Sequence, residues 1–230
     1  EITETAIEFL TAHYTKVELA LSPQFEDLRP FLWHRYHGPE EEKINLSLRY
    51  TSYLDIQDLR GLSQGSEDCE TFRRLEAVRQ RNLRKAASAG SICYPDGDIE
   101  ALLDNYAQTM GLSEDEFCNK RARMDSLMKG LRDRDMGRLY EVADRAGYPD
   151  YGVFFAWDSK RAYYLFGAGN PDRNDSHHGT FAFWEALRDL ATNHEITEVD
   201  WEGANSPQRG WFKLSFGGSL LSYHELHWEA

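Results

Sequence analysis

The 230-residue chain is 41% hydrophobic and 13% aromatic, a composition that excludes a disordered or collagen-like protein. Its net charge of −13 argues against a protein that coats duplex DNA, because such a protein needs a broad basic surface. No apolar run reaches the roughly 18 residues that a membrane span needs, so no span is expected. The sequence opens with Glu1 instead of Met, and we therefore expect a piece of a longer protein.

Basic residues are concentrated in the middle of the chain. Residues 69–147 hold 14 of the 26 Lys and Arg and carry no net charge, whereas both flanking parts are acidic. An anionic small ligand is therefore compatible with this middle part.

The cysteines and histidines predict neither a disulfide framework nor a metal site. Cys69, Cys93 and Cys118 form no CxxC pair, which favours a reducing, cytoplasmic setting. No histidine spacing matches a known zinc set, so no metal ligands are predicted.

The first 66 residues predict one helix and two strands. Apolar spacing favours a helix over 5–14, and alternation favours a strand over 16–21. A turn-rich, aromatic stretch over 23–39 leads to a second strand over 44–56, and glycines and serines over 61–66 indicate a linker.

The middle of the chain predicts a basic amphipathic helix over 69–89. Its apolar residues share one stripe, and most of its basic residues occupy the opposite face. Arg79 instead projects from within the apolar stripe, so it either snorkels to solvent or is aimed into a site.

Two further helical regions are predicted before the last third of the chain. One covers 98–110. The other begins at a capping box formed by Ser113 and Glu116 and continues to residue 146, with a break near Gly130 or Gly137.

The last third of the chain predicts a β-rich unit. Two aromatic runs read as a hairpin, followed by a loop, an amphipathic helix and two strands. This order predicts an α+β fold with one mixed, twisted sheet flanked by helices. The expected elements are strands over 151–157 and 161–166, a loop over 167–178, a helix over 179–193, and strands over 197–201 and 220–228.

The strongest motif in the sequence lies between these last two strands. It begins with Val199-Asp200-Trp201-Glu202-Gly203-Ala204-Asn205 and continues with Trp211-Phe212-Lys213-Leu214-Ser215-Phe216-Gly217-Gly218. Together the two segments resemble the FemAB/FemX-like branch of the GNAT N-acyltransferase superfamily, whose members transfer aminoacyl groups. The segments 27–33 and 50–55 and the basic helix over 72–89 also resemble that branch.

The resemblance implies a domain organisation. Family members pair two GNAT-like halves. Here residues 1–60 resemble the end of a first, partial half, and residues 61–230 resemble a complete GNAT-like acyltransferase domain.

The resemblance also implies catalytic residues. Acyl transfer to an amine passes through a tetrahedral oxyanion, which needs a hydrogen-bond donor. Lys213 is the implied oxyanion donor and Phe212 shapes the pocket; the alternative is a surface lysine on a short helical turn. Asp200 and Glu202 share one face if the strand continues, and two close carboxylates can make one of them a base. The alternative is a pair that braces the loop.

Further residues are expected to bind the substrate. Asn205 either orients a substrate carbonyl or forms a turn, and Tyr164 is expected to line the pocket with Trp201. The basic side chains Arg79, Arg121 and Arg123 are expected to hold the acceptor, with a solvated helix face as the alternative for the last two.

The acyl donor depends on the loop before the helix that begins near Gly179. CoA-dependent members carry a glycine-rich pattern there, which grips pyrophosphate at the helix N-terminus. This chain has Ser176-His177-His178-Gly179-Thr180-Phe181, in which only Gly179, with His178 beside it, fits a phosphate contact. The departure favours an aminoacyl-tRNA donor over acyl-CoA, and no tightly bound cofactor is expected.

Three functions follow as hypotheses. The first is aminoacyl or acyl transfer onto an amine, which a small molecule or a peptide carries. The second is CoA-dependent N-acetyl transfer, and the third is a non-catalytic GNAT-like binding module.

Overall fold

A computed structural model of the protein describes residues 2–63, 65–143, 147–173 and 176–230. In this part of the chain eight strands form one sheet. They are β1 (Lys16–Ala20), β2 (Asn45–Asp55), β3 (Ile92–Pro95), β4 (Gly137–Ala143), β5 (Pro149–Trp157), β6 (Arg161–Gly169), β7 (Glu198–Asp200) and β8 (Ser219–Glu229).

Eight α-helices cover this sheet within the described residues, and two short 3-10 turns, Glu40–Glu42 and Gln57–Leu59, flank β2. None of these helices is long and apolar enough to cross a membrane. They are α1 (Ile2–His13), α2 (Arg29–Trp33), α3 (Glu70–Arg74), α4 (Ala77–Ala89), α5 (Ile99–Met110), α6 (Glu114–Arg132), α7 (Ser176–Asn193) and α8 (Pro207–Leu214).

The sheet is mixed, as predicted, with the strand order β1-β8-β2-β7-β6-β5-β4-β3. Every neighbouring pair is antiparallel except β6 and β7, which run parallel over only three residue pairs. The last strand, β8, lies between β1 and β2 and pairs with both. One sheet therefore crosses residue 60, where the sequence predicts a domain boundary; the division into a partial and a complete half stays a prediction.

Helices bury both faces of the sheet around β4, β5 and β6, whereas β1, β2 and β8 are largely exposed on one face. Along β5, Val153 and Phe155 belong to a core packed under α7, whereas Phe154 points the other way into a core under α5 and α6. A third, smaller core joins α1, α2, β1 and β8. The predicted α+β layering is confirmed, and the helix over 179–193 packs on the sheet as part of α7.

The predicted helical region from Ser113 to residue 146 is wrong in its second part. The capping box is present, but α6 ends at Arg132, and Gly137–Ala143 forms β4. Because β4 is buried on both faces, it has no period-two alternation that could reveal a strand. Residues 144–146, the end of that prediction, lie outside the described residues.

The predicted helix over 69–89 is interrupted. The N–H group of Glu76 donates to the carbonyl oxygen of Ser215 (2.9 Å), so the chain becomes extended at this point and separates α3 from α4. A contact between distant parts of the chain thus overrides a continuous helical periodicity.

The predicted loop over 167–178 is shorter than expected. β6 continues to Gly169 and α7 already begins at Ser176, which places His177 and His178 inside a helix. Residues 174–175 of that loop, and residue 64 of the predicted linker, lie outside the described residues.

Gly217 holds the turn before β8 in the left-handed region, with φ of +85°. A Cβ atom on Gly217 would lie 2.6 Å from the Cβ of Arg74 and 2.8 Å from the carbonyl oxygen of Arg74. Only glycine therefore allows the turn to contact the end of α3.

Candidate active site

A cavity of about 460 Å³ opens where the parallel strands separate. β7 ends at Asp200, opposite Tyr163, whereas β6 continues alone to Gly169. The gap between them is closed by α8 on one side and by the C-terminal end of α5 on the other. Ligands of open α/β sheets characteristically bind at such a point, beyond the carboxyl ends of the strands. Its lining includes Tyr106, Thr109, Tyr151, Tyr164, Glu202, Gln208, Arg209, Phe212 and Lys213.

Lys213 reaches this cavity from the last turn of α8. Pro207 at the start of α8 favours helix formation there. The half-buried Nζ donates to the carbonyl oxygens of Glu202 (3.0 Å) and Gly203 (2.7 Å) and lies 5.2 Å from the centre of the Tyr164 ring. Burial lowers the pKa of Lys213 to about 8. An ammonium group has three N–H donors, so one remains for a ligand.

The carbonyls that hold Lys213 come from a strained turn. Glu202 and Gly203 both have positive φ, +52° and +86°. Glycine adopts this conformation freely, but a glutamate in it costs about 1–2 kcal/mol. The turn directs two successive carbonyl oxygens at one ammonium group, so it fixes Lys213 relative to Glu202.

Glu202 also lines a second cavity, of about 350 Å³, together with Asp200, Thr51, Tyr163, Arg161 and Tyr223. Glu202 is exposed at the rim, but the protein around its carboxylate and the charge of Asp200 raise its pKa above the ordinary value. A carboxylate with a raised pKa is better suited to accept a proton from an amine. The predicted sharing of a strand face is wrong, because β7 ends at Asp200 and the turn reorients Glu202.

Asp200 braces this turn. Its Oδ1 accepts hydrogen bonds from the Thr51 hydroxyl (2.5 Å) and from the N–H of Glu202 (2.8 Å). The Thr51 hydroxyl in turn accepts from the N–H of Gly203 (3.2 Å). These bonds support the loop-bracing alternative for Asp200, although its side chain also lines the second cavity.

The side-chain amide of Asn205 forms hydrogen bonds with the backbone of β2. Its Oδ1 accepts from the N–H of Tyr50 (2.8 Å) and its Nδ2 donates to the carbonyl oxygen of Tyr50 (3.0 Å). The amide thus imitates a β-strand partner of β2. Both of its polar atoms are engaged in this way, which supports the turn alternative over the predicted contact with a substrate carbonyl.

Replacing Glu202 with Asn distinguishes the effect of backbone strain at this position from the effect of its carboxylate. Asn tolerates positive φ but has no carboxylate, so we expect unchanged or slightly higher stability and an about 100-fold loss of the acyl transfer that the sequence resemblance implies. The control is Glu195→Asn, since Glu195 is exposed and also has positive φ (+57°) but lies outside both cavities. Urea unfolding and transfer rates of both variants test this; equal transfer rates would remove Glu202 from the chemistry.

Arg79 does not contact either cavity, so its predicted role in substrate binding is corrected. It is 5% exposed, and its guanidinium donates to the hydroxyls of Ser215 (2.7 Å) and Thr180 (2.9 Å). The guanidinium lies 4.3 Å from the centre of the Phe212 ring. Burial lowers its pKa. Arg79 therefore joins α4, α7 and α8 behind Phe212, which itself lines the larger cavity as predicted.

Arg121 and Arg123 lie away from both cavities. Arg121 bonds to Asp104 (2.6 Å) and Glu100 (2.6 Å) on the outer surface of α5 and α6, and Arg123 is exposed. Their predicted contact with the acceptor is corrected in favour of the alternative, a solvated helix face.

The two aromatic predictions have different outcomes. Tyr164 lines the larger cavity, as predicted. Trp201 is fully buried among Tyr164, Phe183 and Phe216 and cannot reach a substrate without leaving the core.

The two residues that are predicted to contact a phosphate at the start of α7, His178 and Gly179, both pack against other parts of the protein. His178 is 4% exposed and bonds to Asp150 and Ser91, so its predicted role in donor binding is corrected. A Cβ atom on Gly179 would lie 3.1 Å from the Tyr151 ring. The Tyr151 ring therefore packs closely against Gly179.

Sequence reasoning missed the contribution of α5 to the larger cavity. Tyr106 and Thr109 come from a helix whose apolar pattern signals only a packed core. Arg161, in the second cavity, was also missed; it bonds to Tyr53 (2.8 Å) and Glu198 (2.7 Å). No motif marks these residues, because the topology alone brings them together. Among the described residues, no cluster of ligating side chains could hold a metal ion.

Comparisons with known proteins identify similar folds. The crystal structure of FemX aligns with 100% of this chain, and the alignment covers 76% of the FemX chain. The two sequences are 13% identical, and the TM-score is 0.65. A tandem GNAT protein from the clavulanic acid biosynthesis pathway matches over 99% of this chain and 68% of its own, with 15% identity and a TM-score of 0.56. A conserved protein of unknown function from Bacteroides thetaiotaomicron VPI-5482 aligns with 98% of this chain over 75% of its own length, with 11% identity and a TM-score of 0.63.

At these identities the three structures establish the fold alone, and they confirm the fold that the sequence resemblance implies. No curated protein matches the sequence. A family model described as an acetyltransferase (GNAT) domain matches residues 73–211, more than half of the chain. That segment contains β6, α7, β7 and the strained turn at Glu202, and the chain therefore belongs to the GNAT acetyltransferase domain family.

Proposed function

We propose that the chain is an N-acyltransferase that moves an aminoacyl group from an activated ester onto an amine acceptor. The observation that carries this proposal is the position of Glu202. Its carboxylate borders both cavities, and its carbonyl oxygen holds Lys213. A donor in the larger cavity and an acceptor in the smaller one would therefore meet between a base and an oxyanion donor.

The reaction needs only these two groups and the bound reactants. Glu202 accepts a proton from the acceptor ammonium, and the freed amine attacks the carbonyl carbon of the ester. The free N–H of Lys213 donates to the oxyanion that forms, which is the largest single contribution in many acyl transfers. The carbon–oxygen bond of the ester then breaks, and the leaving oxygen takes the second proton that the attacking nitrogen loses as it becomes the amide. Glu202 returns its own proton to solvent after the products leave.

The charge of the smaller cavity supports an amine acceptor. Asp200 and Glu202 both border it, and the charge of Arg161 in the same lining is paired with Glu198 (2.7 Å). The two carboxylates attract a cationic amine and hold it near the base. A small amine or the side chain or terminus of a peptide fits this chemistry equally well.

The start of α7 supports an aminoacyl-tRNA donor over acyl-CoA. The side chains of His177 and His178 are buried and the ring of Tyr151 packs against Gly179, so these side chains face the protein interior instead of a CoA pyrophosphate. A cytoplasmic setting, expected from the cysteines, agrees with such a donor.

Calorimetric titration with a non-hydrolysable aminoacyl-RNA mimic, beside acetyl-CoA, tests the donor. We expect the mimic to bind and acetyl-CoA to give no heat. Gln208→Trp fills the larger cavity from an exposed position on α8 and should abolish binding. The control, Ser159→Trp, lies in the exposed turn between β5 and β6 and should bind normally.

Each other outcome counts against the proposal. Binding of acetyl-CoA alone, lost in Gln208→Trp, would make the chain a CoA-dependent N-acetyltransferase. Heat from neither donor would favour a non-catalytic GNAT-like module.

A further inference from the structure

Three side chains outside the acyl-transfer cavities form a continuous chain of hydrogen bonds. Asp150 lies near the start of β5, His178 lies in the first turn of α7, and Ser91 follows Gly90, which ends α4. His178 Nδ1 bonds to Asp150 Oδ2, and His178 Nε2 lies 3.1 Å from the hydroxyl oxygen of Ser91. Each of the three residues comes from a different part of the chain.

The burial of the first two residues sets their roles. Asp150 is 3% and His178 is 4% exposed, and the other carboxylate oxygen of Asp150, Oδ1, has no hydrogen-bond partner within the described residues. A buried carboxylate without another donor holds the proton of the imidazole on Nδ1. Nε2 is then the acceptor, and the Ser91 hydroxyl donates to it. This is the arrangement in which a histidine acts as general base for a serine nucleophile.

Ser91 also opens onto space that a substrate can enter. It borders a cavity of about 660 Å³ between α4 and α7, which none of the acyl-transfer residues lines. The walls are largely apolar. Their charged part is Glu185 and the ion pair in which Arg84 donates to both carboxylate oxygens of Glu67 (2.8 and 2.6 Å). The apolar part of the lining is formed by Phe72, Leu83, Ala87, Ile92, Phe181 and Trp184.

We propose that Ser91 is a second reactive centre, a nucleophilic serine that takes an apolar acyl group from an ester. The Ser91 oxygen bonds to the acyl carbon while its proton moves to His178 Nε2. The ester carbon–oxygen bond breaks, and the leaving oxygen takes that proton. Water then attacks the acyl-serine by the same route, so that a carboxylic acid is released and Ser91 is restored.

Labelling with a fluorophosphonate tests the nucleophile without knowledge of the natural ester. The Ser91 oxygen would displace fluoride from phosphorus, and peptide mapping by mass spectrometry would locate the adduct. We expect the adduct on Ser91, with no label at that position in Ser91→Ala. The same substitution should abolish the hydrolysis of p-nitrophenyl butyrate, whereas Ser159→Ala, in the exposed turn, should leave both reactions unchanged.

Asp150→Asn tests the relay itself. The amide keeps the shape of the side chain but no longer fixes the proton on Nδ1, so the labelling rate should fall by about 100-fold or more. Circular dichroism establishes that the variant is folded. Wild-type protein that stays unlabelled at Ser91, or a folded Asp150→Asn variant that is labelled at the wild-type rate, would overturn the proposal. Aminoacyl transfer should be normal in Ser91→Ala, so this test is independent of the function proposed above.

Discussion

Replacing Lys213 with Met is expected to lower the rate of acyl transfer by about 100- to 1000-fold, since removing one oxyanion donor costs about 2.7–4 kcal/mol of transition-state stabilisation. Methionine has nearly the length of lysine and fills similar space, but the contact of the ammonium group with the Tyr164 ring (5.2 Å) is lost. The bonds to the carbonyls of Glu202 and Gly203 are lost with the charge. Single-turnover rates with saturating donor measure the effect, and Lys160→Met, in an exposed turn, is the control.

The pH profile distinguishes an oxyanion donor from a base at the same position. The pKa of Lys213 is lowered to about 8, so the side chain is charged below that pH and neutral above it. An oxyanion donor must be charged, and the wild-type rate should therefore fall as the pH rises through about 8. Lys213→Arg should keep its charge and lose this decline. A rate that rises through pH 8, or a Met variant within threefold of wild type, would contradict the assignment.

Replacing Gly217 with Ala is expected to destabilise the fold by roughly 3 kcal/mol or more. The positive φ alone costs about 1–2 kcal/mol in a residue with a Cβ atom. The new methyl group would also overlap the backbone oxygen of Arg74, and such overpacking typically costs a further ~1–3 kcal/mol. Urea unfolding of the purified variant measures the loss, which should appear as a lower midpoint with an unchanged slope.

Gly111→Ala is the matched control for this substitution. Gly111 ends α5 with φ of +62°, and no atom lies within 4 Å of the position that a Cβ would take. This variant should lose only about 1–2 kcal/mol, the conformational cost alone. If the two substitutions lowered the free energy of unfolding equally, the close approach of Gly217 to α3 would not contribute to stability.

Most of the fold could be predicted where burial alternates or where capping residues are present. The hairpin of β5 and β6, the final strand β8 and the capping box at Ser113 were predicted because each leaves a local pattern. β4 was missed because helices cover both of its faces, which removes the alternation. The break at Glu76 was missed because its cause is the carbonyl of Ser215, far along the chain.

The candidate site could be predicted only in part. Lys213, Phe212, Glu202 and Tyr164 border one cavity as expected, because a single motif and the neighbouring strand carry them. Arg121 and Arg123 lie outside both cavities. Nothing in a helix of charged residues tells which face turns outward, as Arg121 does to pair with Glu100 and Asp104. Asn205 was ambiguous, because only the position of β2 reveals that the amide pairs with backbone.

The position of β8 between β1 and β2 has a consequence for the order of events during synthesis. β1 is complete at residue 20, yet its neighbour in the sheet extends over residues 219–229. Until that last segment has left the ribosome, β1 has no partner, and the outer edge of β2 stays open. The contacts that complete this side of the molecule thus span about 200 residues of chain, a separation that slows folding. The nascent chain must meanwhile keep two unpaired strand edges from pairing with other molecules, so its fate in the cell depends on how quickly β8 becomes available.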